Sequence, residues 1–310
     1  MSAIKVFGHL VPDTDTTCSA IVYAWYLNTY KNTPATPYVN GVPNKEAAYI
    51  LQRFNQPTPA LLPTLTSEDS VVIVDTNNPD ELPAEISEVT ITEIIDHHKL
   101  GGIKTNSPLK VTIRPLACTA TILWQQFQAE RIEVPQDLAG MMLACILSDT
   151  LNFTSPTSTE EDKKAVAELV ALTGLSADEV SNAMFEAKSD LSGMTTRQIL
   201  MGDHKAYTMN GKKVLMAVVE TTRPANVLAL EADLIREIEA VKTEQGLAGI
   251  FFFIVDIISS SSVLLTASNF EHQVAEHGFG VTFSGNTISL PGVVSRKKQM
   301  VPSVEKGIAA

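Results

Sequence analysis

The sequence predicts an α/β protein whose first half is built on a mainly parallel sheet flanked by helices. Apolar, β-branched runs such as Val71-Val72-Ile73-Val74 alternate with helical stretches, the pattern of strands buried on both faces. Three of these runs end on metal-binding residue types, and open α/β sheets gather ligands beyond the carboxyl ends of their strands. A third observation separates the second half: Asn210-Gly211 is a strong hairpin signal.

Taken in order, Ile4 to Phe7 reads as a buried strand that delivers Gly8 and His9 to its end. A polar loop, Pro12 to Thr17, leads into an apolar helix through Leu27. Asp13, Thr14 or Asp15 can cap that helix, but one cap needs one acid. The spacing His9-x3-Asp13-x-Asp15 places an imidazole and two carboxylates in one loop, which suits divalent cations. Pro37 to Asn40 is a short strand and Asn44 to Asn55 an amphipathic helix. Val71 to Val74 then ends on Asp75, and Val89 to Ile95 ends on Asp96-His97-His98. Adjacent residues at a strand end point to opposite faces, so the two histidines can hold different partners. One acid at a strand end is ordinarily a cap or a turn residue; three such ends are hard to explain structurally.

Val111 to Arg114 is a further strand, and Thr119 to Gln128 a helix opened by Thr119. The apolar helix Asp137 to Leu147 stops just short of Asp149, where a negative charge opposes the helix dipole unless a cation is near. Thr157 to Glu161 caps a helix that runs to Leu172 and ends at Gly174, and Ser176 to Lys188 is the last helix of this half. Residues 1–188 are thus expected to form one domain, 189–194 a flexible linker and 195–310 a second domain. In the latter, strands Asp203–Tyr207 and Lys213–Val219 flank the hairpin turn. A single helix spans Asn226 to Glu244, with strands Phe251–Ile258 and Val263–Ala267 beyond it.

The chain has 310 residues, 45% hydrophobic and 19% charged, a profile of soluble two-domain proteins. A net charge of −12 argues against general nucleic-acid binding, which leaves a basic footprint. Cys18, Cys118 and Cys145 lack zinc-site spacing and read as reduced core residues. No leader pattern opens the chain, and the most apolar run, Ile250 to Ile258, is too short to cross a bilayer. A reducing, cytoplasmic location is expected. The run Ser295-Arg296-Lys297-Lys298-Gln299 is ordinarily a solvated face, yet in so acidic a chain it can supply charge for an anion.

Together these motifs resemble the manganese-dependent family II inorganic pyrophosphatases of the DHH phosphoesterase superfamily. The match comprises His9-x3-Asp13-x-Asp15, Asp75, Asp96-His97-His98-x-x-Gly101-Gly102, Asp149 and the Ser295 to Gln299 run, in that order over the whole length. The resemblance implies a DHH-type catalytic domain followed by a smaller α/β domain with a mixed sheet, of DHHA2 type. It implies pyrophosphate as substrate, His9, Asp13 and Asp75 on one metal ion, and Asp15, Asp75, His97 and Asp149 on a second. His98, Lys205, Arg296 and Lys297 become catalytic and substrate contacts, Lys298 an auxiliary one, and Asp96 a support for its neighbours. The resemblance also implies a homodimer formed through the first domain and Mg2+ arriving with the substrate.

The chemistry agrees. Four aspartates against two divalent cations leave no net charge, so the basic residues can still attract a tetra-anion. Two cations sharing Asp75 can lower the pKa of a bridging water and aim it at phosphorus. Mixed nitrogen and oxygen donors favour Mn2+ or Co2+ over Mg2+. A DHH polyphosphatase or short-oligonucleotide phosphodiesterase is the alternative, but His277-Gly278-Phe279-Gly280 is not the Gly-Gly-Gly-His element of many such nucleases. A non-catalytic sensor of this fold would be expected to lack a ligand, and all six are present. Opening and closing about Ser189 to Gly193 is expected.

Overall fold

The computed structural model describes residues 3–283 and 285–310. The chain divides into two compact units, Met1–Lys188 and Ser189–Ala310, each with its own sheet.

In the first unit the strands are β1 (Ile4–Phe7), β2 (Ala35–Val39), β3 (Ala60–Leu61), β4 (Ser70–Val74), β5 (Thr90–Asp96) and β6 (Lys110–Ile113). The helices are α1 (Thr14–Tyr30), α2 (Lys45–Arg53), α3 (Thr119–Glu130), α4 (Gln136–Asp149), α5 (Glu160–Thr173) and α6 (Ala177–Lys188). All six strands pair in parallel, in the order β3-β2-β1-β4-β5-β6. The chain winds outward from β1 to β3, then crosses to the other side of β1 at β4. That reversal is a topological switch point, where the connections diverge and leave a crevice at the strand ends. Residues 71–74 of β4 are wholly buried, as a strand covered on both faces requires. Residues 14–24 of α1 and 138–148 of α4 are buried on all sides, so both helices lie inside helical layers.

Local chemistry sets the helix ends. Asp13 caps α1 by accepting from the Thr16 amide at 3.0 Å, and Asn44 caps α2 through Ala47. Thr159 and Asp162 form a capping box on α5, which Gly174 closes at φ +70°. The Thr119 side chain does not open α3. Asp15 does so from α1, accepting from the amides of Thr119 (2.7 Å) and Ala120 (3.2 Å), a contact 104 residues away in sequence. Asp149 is the last residue of α4 rather than a residue beyond it.

The second unit contains α7 (Thr196–Met201), β7 (Asp203–Met209), β8 (Lys212–Thr221), α8 (Pro224–Leu228), α9 (Glu231–Gln245), β9 (Gly249–Asp256), β10 (Ser261–Leu265), α10 (Asn269–Phe279), β11 (Thr287–Pro291) and α11 (Val301–Ala309). Its sheet runs β11-β10-β9-β8-β7, parallel only between β8 and β9, and is therefore mixed. Asn210 and Gly211 both take positive φ, the type I′ geometry that suits a two-residue hairpin. The single helix expected over Asn226–Glu244 is two, α8 and α9. Their shared apolar stripe continues across the break through Val227, Leu234, Ile238 and Val241, so sequence periodicity did not reveal it. Alternate residues of β9 serve two cores: Ile250, Phe252 and Ile254 on one face, Phe251, Phe253 and Val255 on the other. Ser189 is buried against Thr221 and Thr222.

Where α10 meets α11, added side chains have no space: a Cβ on Gly307 would lie 1.9 Å from the Val274 carbonyl oxygen. Gly307→Ala must therefore push two helix backbones apart. It is expected to cost about 1–3 kcal/mol in urea unfolding of the full chain.

Candidate metal centre

The ends of β1, β4 and β5 and the ends of α1, α3 and α4 converge on one crevice of the first unit. A cleft of about 350 Å³ there is lined by His9, Asp13, Asp75, His97, His98 and Asp149, among others. Three sets of potential ligands each have their donor atoms within 4.8 Å of one another: His9, Asp13 and Asp75; Asp15, His97 and Asp149; and Asp75, His97 and His98.

Asp75 lies at the centre, 2% exposed and with φ +60°, a left-handed backbone that non-glycine residues seldom adopt. One carboxylate oxygen accepts from the Thr16 hydroxyl at 2.6 Å and faces His9 Nε2 at 3.4 Å. The other accepts from the Thr119 hydroxyl at 3.2 Å and faces His97 Nε2 at 3.2 Å. His97 Nδ1 lies 3.1 Å from the Leu116 carbonyl, which can only accept. The ring proton is thereby placed on Nδ1, and Nε2 keeps its lone pair for the cleft whenever the ring is neutral.

Asp96 is fully buried and organises the other histidine. It accepts from the amides of His97 (2.7 Å) and His98 (3.1 Å), from His98 Nδ1 (2.8 Å) and from the Asn77 amide group. Burial opposes its charge, but these hydrogen bonds hold the carboxyl below its usual range. His98 is half exposed; the Asp96 bond raises its pKa against the effect of burial. Asn77 also binds the Lys99 carbonyl at 3.0 Å and accepts from the Gly101 amide, tying the ends of β4 and β5 together. Its position two residues after Asp75 was the available signal, which sequence reasoning did not use.

Crowded acids shape the electrostatics of the nest. Burial alone would depress His9, but hydrogen bonds and charge contacts with Asp13 and Asp75 raise it to about 10. Burial likewise opposes the charge on His97, and Asp75 and Asp15 lift it to about 9. Burial would raise Asp75, yet its two histidines hold it well below the carboxylate range. Burial and the charge of Asp75 push Asp15 up to about 7, and burial with three neighbouring acids pushes Asp149 well above normal. Asp149 Oδ2 is buried without a hydrogen-bond partner. A buried orphan carboxylate oxygen at a helix C-terminus, on a residue grouped with the His97 imidazole and the Asp15 carboxylate, fits a divalent cation site.

In the second unit, Lys205, Lys297 and Lys298 are exposed. Arg296 donates to Asp203 at 2.6 Å, and Lys205 lies two residues along β7 on the same strand face as Asp203. Lys205 and Arg296 thus share one region of the sheet edge. Arg296 opens a single π-helical turn, Arg296–Met300, that leads into α11. Gln299, to which sequence reasoning gave no role, shapes this turn by accepting from the Val294 and Ser295 amides and donating to the Gly292 carbonyl. His277-Gly278 lies within α10, with Gly278 against the α11 backbone, so that stretch is helix rather than a glycine-rich loop.

This fold and site define a protein of the DHH class. The DHH family N-terminal domain model matches residues 3–146, and the DHHA2 domain model matches residues 182–306. The chain is 38% identical over 310 residues to the manganese-dependent inorganic pyrophosphatase of Bacillus subtilis, covering 100% of both. It is 41% identical over 309 residues, 99% of each chain, to a "Probable manganese-dependent inorganic pyrophosphatase" of Bacillus licheniformis. The crystal structure of a "putative family II inorganic pyrophosphatase" of Methanococcus jannaschii superposes with a TM-score of 0.66 at 31% identity, over 99% of this chain and 100% of that one. The chain belongs to the family of manganese-dependent, family II inorganic pyrophosphatases.

With pKa values raised to about 10 and about 9, His9 and His97 carry protons near neutrality when no cation is bound. Coordination needs the Nε2 lone pairs, so binding must displace those protons. Mn2+ affinity of the metal-free protein is expected to rise as pH increases from about 6 to about 8. Calorimetry in buffers of different ionisation enthalpy should report proton release.

Proposed function

We propose that the chain hydrolyses inorganic pyrophosphate to two phosphates. The observation that carries this reading is the convergence of two histidines and four aspartates on one cleft, with an Asp149 oxygen left without a protein partner. In this reading residues 1–188 form the catalytic domain, 189–194 the linker and 195–310 the substrate-binding domain.

His9, Asp13 and Asp75 would hold one Mn2+ or Co2+, and Asp15, Asp75, His97 and Asp149 a second. Two such cations supply Lewis acidity at phosphoryl oxygens and lower the pKa of water toward neutrality. Asp75 offers one oxygen to each set, a division supported by its two separate histidine contacts. Asp96 accepts the Nδ1 proton of His98 and keeps Nε2 turned outward, where it carries a proton for the leaving phosphate. Arg296, Lys297 and Lys205, with Lys298 assisting, neutralise substrate oxygens as their charge grows in the transition state. Mg2+ accompanies the substrate. The protein acts as a homodimer through its first domain in the cytoplasm; among the described residues no helix is long and apolar enough to cross a membrane.

Phosphate release by the Mn2+-loaded protein should be faster from pyrophosphate than from longer polyphosphates or a dinucleotide; the reverse order would overturn the reading. Asp75→Ala is expected to abolish turnover and weaken both cation sites, measured by metal analysis alongside the assay. Arg296→Ala and Lys297→Ala should each raise KM about tenfold, the loss of one charge-assisted contact, with Mn2+ content unchanged.

A further inference from the structure

Glu46 stands in the first turn of α2, outside the ligand sets, and is 1% exposed. Its Oε1 accepts from the Thr14 hydroxyl at 3.1 Å and from the Ser148 hydroxyl. Its Oε2 faces the Lys188 ammonium at 3.0 Å. Thr14 is the first residue of α1 and lies between Asp13 and Asp15; Ser148 directly precedes Asp149; Lys188 ends α6. One carboxylate therefore joins the ends of four helices, two of which project three of the four aspartates of the nest.

We propose that Glu46 is a positioning residue for the cation nest: its Oε1 fixes the separation between the Asp13 and Asp15 segment of α1 and Asp149 of α4. Lys188 supplies an ammonium to the other carboxylate oxygen. The inference rests on the cation reading given above. Packing alone does not account for the arrangement. An apolar side chain would fill the space without the desolvation cost of a buried ion pair. Asp149 needs the brace most, because its Oδ2 has no partner and its placement comes from the backbone that Ser148 holds. Supports of this kind around ligands typically govern metal affinity about 10–100-fold.

The test is Mn2+ titration of the full chain, with metal-free melting curves and kcat and KM at saturating Mn2+. Glu46→Ala removes the acceptor and is expected to weaken Mn2+ binding by about tenfold or more, with KM for pyrophosphate changed less than about twofold. The double variant Glu46→Gln/Lys188→Met keeps an acceptor for Thr14 and Ser148 without the ion pair, and should bind Mn2+ within about threefold of the parent. A folded Glu46→Ala protein with parental affinity would make Glu46 merely structural and overturn the proposal. So would a double variant as weak as Glu46→Ala, since charge rather than bracing would then be at work. Should Glu46→Ala not fold, Ser148→Ala decides: affinity about threefold weaker supports the brace, and unchanged affinity refutes it. If the parent protein releases no phosphate from pyrophosphate, the function reading fails while the Mn2+ titrations still judge the brace.

Discussion

The first unit is organised around negative charge gathered at one cleft, much of it withdrawn from water. Asp15, Asp75 and Asp96 are almost fully buried, and Asp13 and Asp149 stand beside them. Such a group is stable only where hydrogen bonds and positive charge meet it. Thr16 and Thr119 supply hydroxyls, His9 and His97 supply imidazoles, and the backbone at Asp75 accepts a left-handed conformation to bring its carboxylate between them. Strain of that kind is held by its surroundings and is typical of functional positions.

Helix ends decide how each acid copes. Asp13 lies at the N-terminus of α1 and Asp15 binds the N-terminal amides of α3, so both face the positive end of a helix dipole. Asp149 lies at the C-terminal end of α4, where the dipole opposes it. The arrangement leaves Asp149 as the acid whose charge owes most to a cation. Asp75 is compensated by side chains and Asp15 by backbone amides. Glu46, paired with Lys188, joins the helix ends that carry Asp13, Asp15 and Asp149.

The second unit carries a basic run in a chain whose net charge is −12. Lys205 stands on β7 and Arg296, Lys297 and Lys298 follow one another in a single turn, and hydrogen bonds shape that turn. Asp203 holds Arg296 and Gln299 folds the turn around it, so the guanidinium is presented in a restrained geometry. Three consecutive cations in one turn make a local positive field within a chain that is acidic overall.

The sequence alone determined the apolar strands, the residues that follow them and hence the crevice, because a parallel strand buried on both faces must be continuously apolar and its polar ends stand out. Asp75, His97 and His98 stood out in that way, whereas His9, Asp13 and Asp15 drew notice by their spacing in one loop and Asp149 by its place at the end of an apolar helix. Tertiary structure decided what each atom does. That Asp15 opens α3, that His97 keeps Nε2 free by giving Nδ1 to Leu116, and that Asn77, Gln299 and Glu46 hold their neighbours all depend on contacts with groups outside their own segments. The break between α8 and α9 escaped notice because the apolar stripe runs straight across it. Local pattern reports which face of an element is buried, whereas the partner of a polar atom is fixed only when distant segments meet.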